Sequence, residues 1–136
     1  MKETLCQEAR KARENAYCPY SRFMVGAAVL GEDGRIYTGC NIENTSYGMT
    51  VCAERTAIFK MVSEGCRKFK ALAVAGSTEA DGAPCMACRQ VMTEFCFDMD
   101  VPVYVTCPSG KIYTHTMKEI CPYPFMAFDP SEDYGK

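Results

Sequence analysis

The stretch Ala71-Leu72-Ala73-Val74-Ala75-Gly76, followed by the polar STEADGA (77–83) and then by PCMACRQVMTEFC (84–96), decides the fold. ALAVAG is an unbroken apolar run of strand length, and a strand with no polar face must be covered on both sides. Beyond the loop, Cys88, Val91, Met92, Phe95 and Cys96 keep helical spacing,. Val101–Thr106 then reads as another strand. A strand–helix–strand succession needs a crossover, right-handed in the great majority of cases. Outward toward the N-terminus, Leu5, Ala9, Ala12 and Ala16 recur on one face of a helix expected to end near Tyr17, ahead of Pro19,. The apolar run Phe23–Leu30, the turn GEDG (31–34) and Arg35–Thr38 read as a hairpin,. Cys40–Val51 is polar and mixed, a long loop. A helix opens around Cys52 with an apolar stripe of Ala53, Ala57, Ile58, Met61 and Val62, and Gly65 stops it,. Downstream, Pro108-Ser109-Gly110 is a turn, Lys111–Thr114 a last strand, and the tail is rich in proline and aromatics. The order α-β-β-α-β-α-β-β predicts an α/β fold: three layers, α-β-α, around a mixed sheet of about five strands, as a single domain over 1–136,.

Composition narrows the function. The chain has 136 residues, 48% hydrophobic and 24% charged, which is globular material,. Fifteen basic against seventeen acidic residues give a net charge of -2, and no run supplies the basic stripe of a nucleic-acid binder,. MKETLCQEARKAREN (1–15) is charged throughout, unlike a secretory h-region, and no apolar run approaches the ~18 residues of a membrane span,. The expectation is a cytoplasmic protein with neither nucleic-acid nor membrane partners. Ten cysteines are too many to pass over. In a reducing compartment Cys6, Cys40, Cys66, Cys96, Cys107 and Cys121, all in apolar or patterned stretches, are expected as small buried hydrophobes.

Three of the remaining four cysteines cluster. Cys52-Ala53-Glu54-Arg55 and Pro84-Cys85-Met86-Ala87-Cys88-Arg89-Gln90 each open an expected helix. A C-x-x-C alone fits a redox pair or half a zinc ribbon. In the first turn of a helix, however, exposed N–H groups and the dipole favour thiolate, the metal-binding form. Residues three apart share a face, so Cys85 and Cys88 can reach one ion, with Cys52 as third ligand. Three protein ligands leave a fourth position open, the mark of a catalytic zinc site. Glu54 is the acid–base candidate. Positions i and i+2 diverge by about 200° on a regular helix, so Glu54 shares the site with Cys52 only if Cys52 stands at the very first position. Three thiolates on one zinc ion leave a charge of -1, which helix N-termini and Arg55 are placed to offset, and Arg55 is expected to contact a ligating sulfur. Solvated or packing roles for Arg55 and Arg89 stand equal to that reading. A closed four-cysteine site using Cys40, Cys66 or Cys96 is the structural alternative. His115, far from either motif in sequence, reads as structural.

These residues resemble a known family. CAE (52–54) and PCMAC (84–88) match the H/C-x-E … P-C-x-x-C pattern of zinc-dependent nucleobase deaminases, a pattern already described for that chemistry. Asn41-Ile42-Glu43-Asn44, Cys52–Ala57, Cys85–Gln90 and YCPYSRFMVG (17–26) together look like the small, homotetrameric cytidine deaminases, a likeness over nearly the whole chain. The resemblance implies one zinc per chain on Cys52, Cys85 and Cys88. It also implies Glu54 as the proton shuttle pairing with N3 of the pyrimidine, and main chain around Ala53 holding the base carbonyl. Asn41 and Glu43 match a ribose-binding pair; i and i+2 of an extended segment point to one side. Phe23 matches an aromatic packed on the nucleoside, although a phenylalanine opening an apolar strand reads as core. Phe125 aligns with a tail aromatic that reaches the base in a neighbouring subunit, with the sites near subunit interfaces. Tyr123, Phe125 and Phe128 form an apolar tail suited to such assembly. Met86, where the family carries a small residue, and PYPF (122–125), where a Pro-Gly-Ala-Phe type turn is usual, depart from the pattern.

The implied reaction is hydrolytic deamination of free cytidine and deoxycytidine to uridine and deoxyuridine with release of ammonia, a step of pyrimidine salvage. Rival readings are a deaminase of a modified cytosine nucleoside, an editor of cytosine in RNA or DNA, and a non-catalytic zinc or thiol-redox module. The acidic balance and the lack of tryptophan weigh against a polymer,, and a redox pair needs neither Glu54 nor a third cysteine.

Overall fold

The structure, a computed structural model, describes residues 1–125. Its helices are α1 (Lys2–Arg13), α2 (Ala53–Ser63), α3 (Met86–Phe95) and α4 (Met117–Ile120), and its strands are β1 (Gly26–Gly31), β2 (Ile36–Cys40), β3 (Phe69–Ala75), β4 (Pro102–Thr106) and β5 (Ile112–Thr116). The strands form one mixed sheet in the order β2-β1-β3-β4-β5. β3 is central and parallel to β4, while β1 is antiparallel to both β2 and β3 and β5 is antiparallel to β4. The all-apolar reading of ALAVAG holds for this physical reason: β3 is buried from Ala71 to Ala75 because helices cover both faces. Leu5, Cys6 and Ala9 of α1 pack on Ala28, Ala71, Ala73 and Ala75. On the other face Ala27, Val29, Leu72, Val74, Val103 and Val105 meet Ala57, Ile58 and Met61 of α2 and Met92 of α3. Alanines on the α1 face let that helix sit close; a Cβ on Gly26 would lie 2.1 Å from the Ala9 carbonyl oxygen.

Two boundary shifts and one missed helix have local causes. α1 stops at Arg13, and Glu14, Asn15 and Ala16 donate to carbonyls three residues back in a tapering turn, after which the Tyr17 amide turns to the Asn41 carbonyl. β1 begins at Gly26, three residues later than Phe23. Over 23–25 the Asn41 side chain clips the backbone, accepting from the Val25 N–H (2.9 Å) and donating to the Phe23 carbonyl (2.7 Å). Such a clip is invisible to hydrophobic patterning. α4 follows β5 directly and is a short helix that apolar periodicity missed. Its signal was present: Thr116 and Glu119 form a capping box,. Phe128 lies outside the described residues. Cys6, Cys66, Cys96, Cys107 and Cys121 are buried free thiols as expected, while Cys40, the last residue of edge strand β2, is only half-buried.

Candidate metal centre and cleft

α2 and α3 start side by side, and each start is a cysteine. Cys52 and Cys85 are N-cap residues in extended conformation, and Cys88 is the third residue of α3. Their three Sγ atoms lie within 4.8 Å of one another, with Cys52 and Cys85 at 3.8 Å. Zinc–sulfur bonds of about 2.3 Å at tetrahedral angles set ligating sulfurs about 3.8 Å apart, so the donor set fits zinc in both chemistry and spacing. Among the described residues this is the one cluster of three or more metal-ligating side chains. Cys40, Cys66 and Cys96 are not in it. The Cys66 thiol faces the Lys68 carbonyl and that of Cys96 the Thr93 carbonyl, which leaves a closed four-cysteine site without a fourth ligand here.

Arg55, one turn into α2, donates from Nη2 to the Cys52 sulfur at 3.3 Å. The contact expected from charge balance is therefore present, and Arg55 Nε is buried without a hydrogen-bond partner among the described residues. The Cys88 thiol, and after it the Arg55 guanidinium, bring the Cys52 thiol down to about 5. Cys88 goes up, since it holds the proton that its neighbour releases and burial adds to the effect. Binding a divalent cation draws all the ligating thiols into the ionised form. Arg89 behaves differently from Arg55: it donates to the Pro84 carbonyl (2.5 Å) and the Ile120 carbonyl (2.9 Å), tying the start of α3 to the end of α4.

Glu54 is the buried carboxyl of the described residues, 4% exposed in the first turn of α2. Removal from water pushes it up to about 7,. The geometric condition set by the sequence is met. Because Cys52 is the extended N-cap, it and Glu54 face the same cleft despite their i, i+2 spacing. The cleft holds about 260 Å³ and is lined by Phe23, Asn41, Cys52, Ala53, Glu54 and Cys85, with Thr78, Ala80, Gly82 and Ala83 as a further wall. Ala53, the first helical residue, has an amide N–H free of intrahelical bonding.

The other site candidates are placed as follows. Phe23 is 41% exposed at the cleft, not in the core, because the chain there precedes the ladder. Asn41 lines the same cleft. Glu43 faces a second, more open depression with Tyr20, Ser21, Tyr47 and Thr50, where its Oε1 accepts from the Tyr20 and Ser21 amides (3.0 and 3.1 Å). Hydrogen bonding from the Ser21 side chain, and after it from these amides, holds the Glu43 carboxyl below its ordinary range. Met86 is exposed and is not part of the cleft wall. Phe125 is 77% exposed, with its backbone pinned by Gln90 through the N–H (2.9 Å) and the carbonyl (2.8 Å). His115 is not remote in space from the second motif: its Nε2 meets Asp81 Oδ2 at 2.7 Å, four residues before Cys85.

Sequence reading missed two residues that act from the far side of the sheet. Arg13 Nη1 donates to the Gly76 carbonyl (2.6 Å), and Arg10 Nη1 donates to Thr106 Oγ1; both acceptor residues line the cleft. Arginines on the polar side of an amphipathic helix carry no signal that separates this role from solvation.

Comparison with known proteins agrees with this geometry. The profile of the "Cytidine and deoxycytidylate deaminase zinc-binding region" matches residues 1–105. A cytidine deaminase of Sporosarcina psychrophila is 57% identical over 129 residues, covering 95% of this chain and 94% of the relative. One from Halalkalibacterium halodurans is 50% identical over 131 residues, covering 96% and 98%. In structure, the chain is similar to cytidine deaminase from Burkholderia pseudomallei, with TM-score 0.87 and 43% identity over 92% of this chain and 99% of that one.

Proposed function

The chain belongs to the cytidine deaminase family of the cytidine and deoxycytidylate deaminase superfamily, and from that membership we propose that it hydrolyses free cytidine and deoxycytidine to uridine and deoxyuridine with release of ammonia. The observation that carries this reading is the convergence of a buried Glu54 carboxyl with Cys52 and Cys85 in one cleft, the buried Cys88 sulfur lying within 4.8 Å of theirs. Cys52, Cys85 and Cys88 would hold zinc, which when bound would supply Lewis-acid activation of water,. Glu54 takes the proton that the water gives up as its oxygen bonds to C4 and delivers it to N3, then takes the second proton from that same oxygen and passes it to the departing amine. Water is consumed, the C4–N bond breaks, and ammonia leaves. A carboxyl raised toward neutrality by burial is matched to both taking and giving a proton,.

The rest of the cleft orients the substrate. The Ala53 N–H donates to the base carbonyl, and Phe23 lies against the nucleoside. Asn41 binds the ribose from the cleft, and Glu43, which faces the second depression, is assigned as its partner on the sugar. Asn41 has committed one N–H and one lone pair to the backbone, which leaves one of each for the sugar,. Arg55 balances the charge of the thiolates. Phe125 reaches the site of a neighbouring subunit in a homotetramer, a role supported by its exposure and by the pinning of its backbone. Both packed faces share one sheet, which supports a single domain over 1–136. Among the described residues no helix is long and apolar enough to cross a membrane; pyrimidine salvage in the cytoplasm is the setting we assign. The test pairs metal analysis with an ultraviolet assay on cytidine, using freshly reduced protein. About one zinc per chain with uridine formed is the expected result. Zinc without turnover of cytidine or deoxycytidine overturns the substrate assignment and moves the reaction to a modified cytosine nucleoside.

A further inference from the structure

The loop 77–84 links β3 to Cys85 without regular secondary structure, yet it forms one wall of the cleft. Residues alternate along it. Over 78–82, Thr78, Ala80 and Gly82 line the cleft, joined by Ala83, while the intervening Glu79 and Asp81 bond to the β4–β5 hairpin. The Glu79 carboxylate accepts from the Ser109 N–H (2.9 Å) and from the Ser109 hydroxyl. The Tyr113 hydroxyl donates to the Glu79 carbonyl (3.1 Å), and His115 Nε2 donates to Asp81 Oδ2 (2.7 Å). Between them the Cys107 thiol faces the Ala80 carbonyl at 3.8 Å. Tyr113 and His115 are i and i+2 on β5, so they share a face of the edge strand,. Successive loop residues 79, 80 and 81 are thus each fastened to one rigid hairpin. Among the described residues the loop's other long-range side-chain bond is Ser77 Oγ to the Met24 carbonyl (2.6 Å), at its root.

Fixing the backbone of a loop residue costs on the order of 1–2 kcal/mol of conformational entropy. A wall without a ladder therefore holds one shape only through such fastenings. We propose that the β4–β5 hairpin, through Ser109, Tyr113 and His115, sets the position of the 77–84 wall, which makes Ser109 and His115 positioning residues for nucleoside binding. The inference rests on the deaminase reading of the cleft. Neither residue touches the cysteines or Glu54, so the effect falls on substrate binding more than on the chemical step.

The test uses the full, zinc-loaded chain carrying Ser109→Ala, His115→Ala and the pair together. A net hydrogen bond is worth a factor of about five in an equilibrium. The double variant is expected to raise KM for cytidine by about 5–20-fold, with kcat within about twofold and zinc still about one per chain. Amide exchange is expected to accelerate in 78–83 but not in β1 or β3. Ser109→Thr and His115→Gln, which keep a donor, are expected to return KM toward the wild-type value. An unchanged KM overturns the proposal whether or not exchange changes. So does a loss of zinc or kcat with faster exchange throughout the sheet, which would make these contacts ordinary stabilising ones. If wild-type protein leaves cytidine unchanged, the deaminase reading fails separately. Exchange then decides the strap: acceleration confined to 78–83 supports it, and no acceleration overturns it.

Discussion

Gly39→Ala links the packing of the sheet to the chemistry of the cleft. Gly39 lies in β2 under the first turns of α2. A Cβ there would stand 2.5 Å from the Ala57 amide nitrogen, 2.8 Å from the Ala53 carbonyl oxygen and 2.9 Å from Thr56 Cβ. Ordinary contact begins at 3.4 Å, so the shortfall against the Ala57 nitrogen is about 0.9 Å. Two of the three atoms are backbone and cannot swing aside, and the helix start must retreat with Cys52, Glu54 and Arg55 on it. Two terms compete. Replacing glycine where the backbone is compatible stabilises by ~0.4–1 kcal/mol through the unfolded chain, while overpacking costs ~1–3 kcal/mol. The clash wins by about 1–2 kcal/mol, a Tm lower by roughly 3–10 °C for a chain of this size. A displacement near 1 Å at a catalytic group costs on the order of 10²-fold in rate, so kcat on cytidine is expected to fall by about 10–100-fold. Calorimetry and the ultraviolet assay on zinc-loaded protein measure the two effects. Gly48→Ala is the control, because nothing lies within 4 Å of its added Cβ. A Gly39→Ala protein with wild-type Tm and kcat would refute the packing argument. A lowered Tm with unchanged kcat would show that α2 does not carry the strand's displacement to the cleft.

Glu54→Gln is expected to keep about one zinc per chain and lose ~10²–10⁴-fold in kcat; turnover within tenfold of wild type would sink the proton-shuttle role. Arg55→Gln removes the guanidinium that donates to the Cys52 sulfur, and with it the positive charge, and is expected to weaken zinc binding by ~10–100-fold in chelator competition; an unaltered affinity would leave Arg55 as packing. Cys88→Ala is expected to lose zinc outright by metal analysis, and full retention would remove Cys88 from the ligand set. The Tyr37 hydroxyl donates to Asp33 Oδ2 at 2.5 Å in the β1–β2 turn. That bond, followed by the Arg35 amide, holds the Asp33 carboxyl below its usual range and lifts the Tyr37 hydroxyl to about 12. Stability from Asp33 is full above the unfolded carboxylate value of ~4 and is lost as pH falls through its lowered value. Stability from Tyr37 is full below ~10 and is lost as pH rises through about 12. Tyr37→Phe is expected to flatten both flanks of the urea midpoint against pH, and identical profiles would show that the bond contributes nothing.

The sheet and its three layers were legible because β3 has no polar face and the 3.6-residue stripes of α1, α2 and α3 are bounded by Pro19, Gly65 and the cysteine motifs. The metal cluster was legible for a different reason. Two cysteines on one helix face and a third at another helix start admit few arrangements, and the i, i+2 spacing of Cys52 and Glu54 forced Cys52 to the N-cap,. What stayed hidden depends on side chains whose partners lie far along the chain. Asn41 ends a strand by bonding residues 16 and 18 positions away. Arg10 reaches Thr106 across 96 residues, and His115 reaches Asp81 across 34. No periodicity encodes such pairs, because a polar residue on a strand or helix surface looks the same whether it faces water or a carbonyl.

The hidden and the legible residues divide the work of the cleft. Cys52, Ala53, Glu54, Cys85 and Cys88 sit on the starts of two helices packed to the sheet through Ala57, Ile58, Met61 and Met92, so their geometry follows from the core and short motifs can announce them. The walls around them are loop: 23–25 clipped by Asn41, and 77–84 strapped by Ser109, Tyr113 and His115. Loop positions are set by individual hydrogen bonds, each exchanged against water and each worth little alone. On this division, substitutions at the helix starts act on zinc and kcat, and substitutions at the clips and straps act on KM. A strap variant that lowers kcat at constant KM would show that the walls enter the chemical step, and the division would fail.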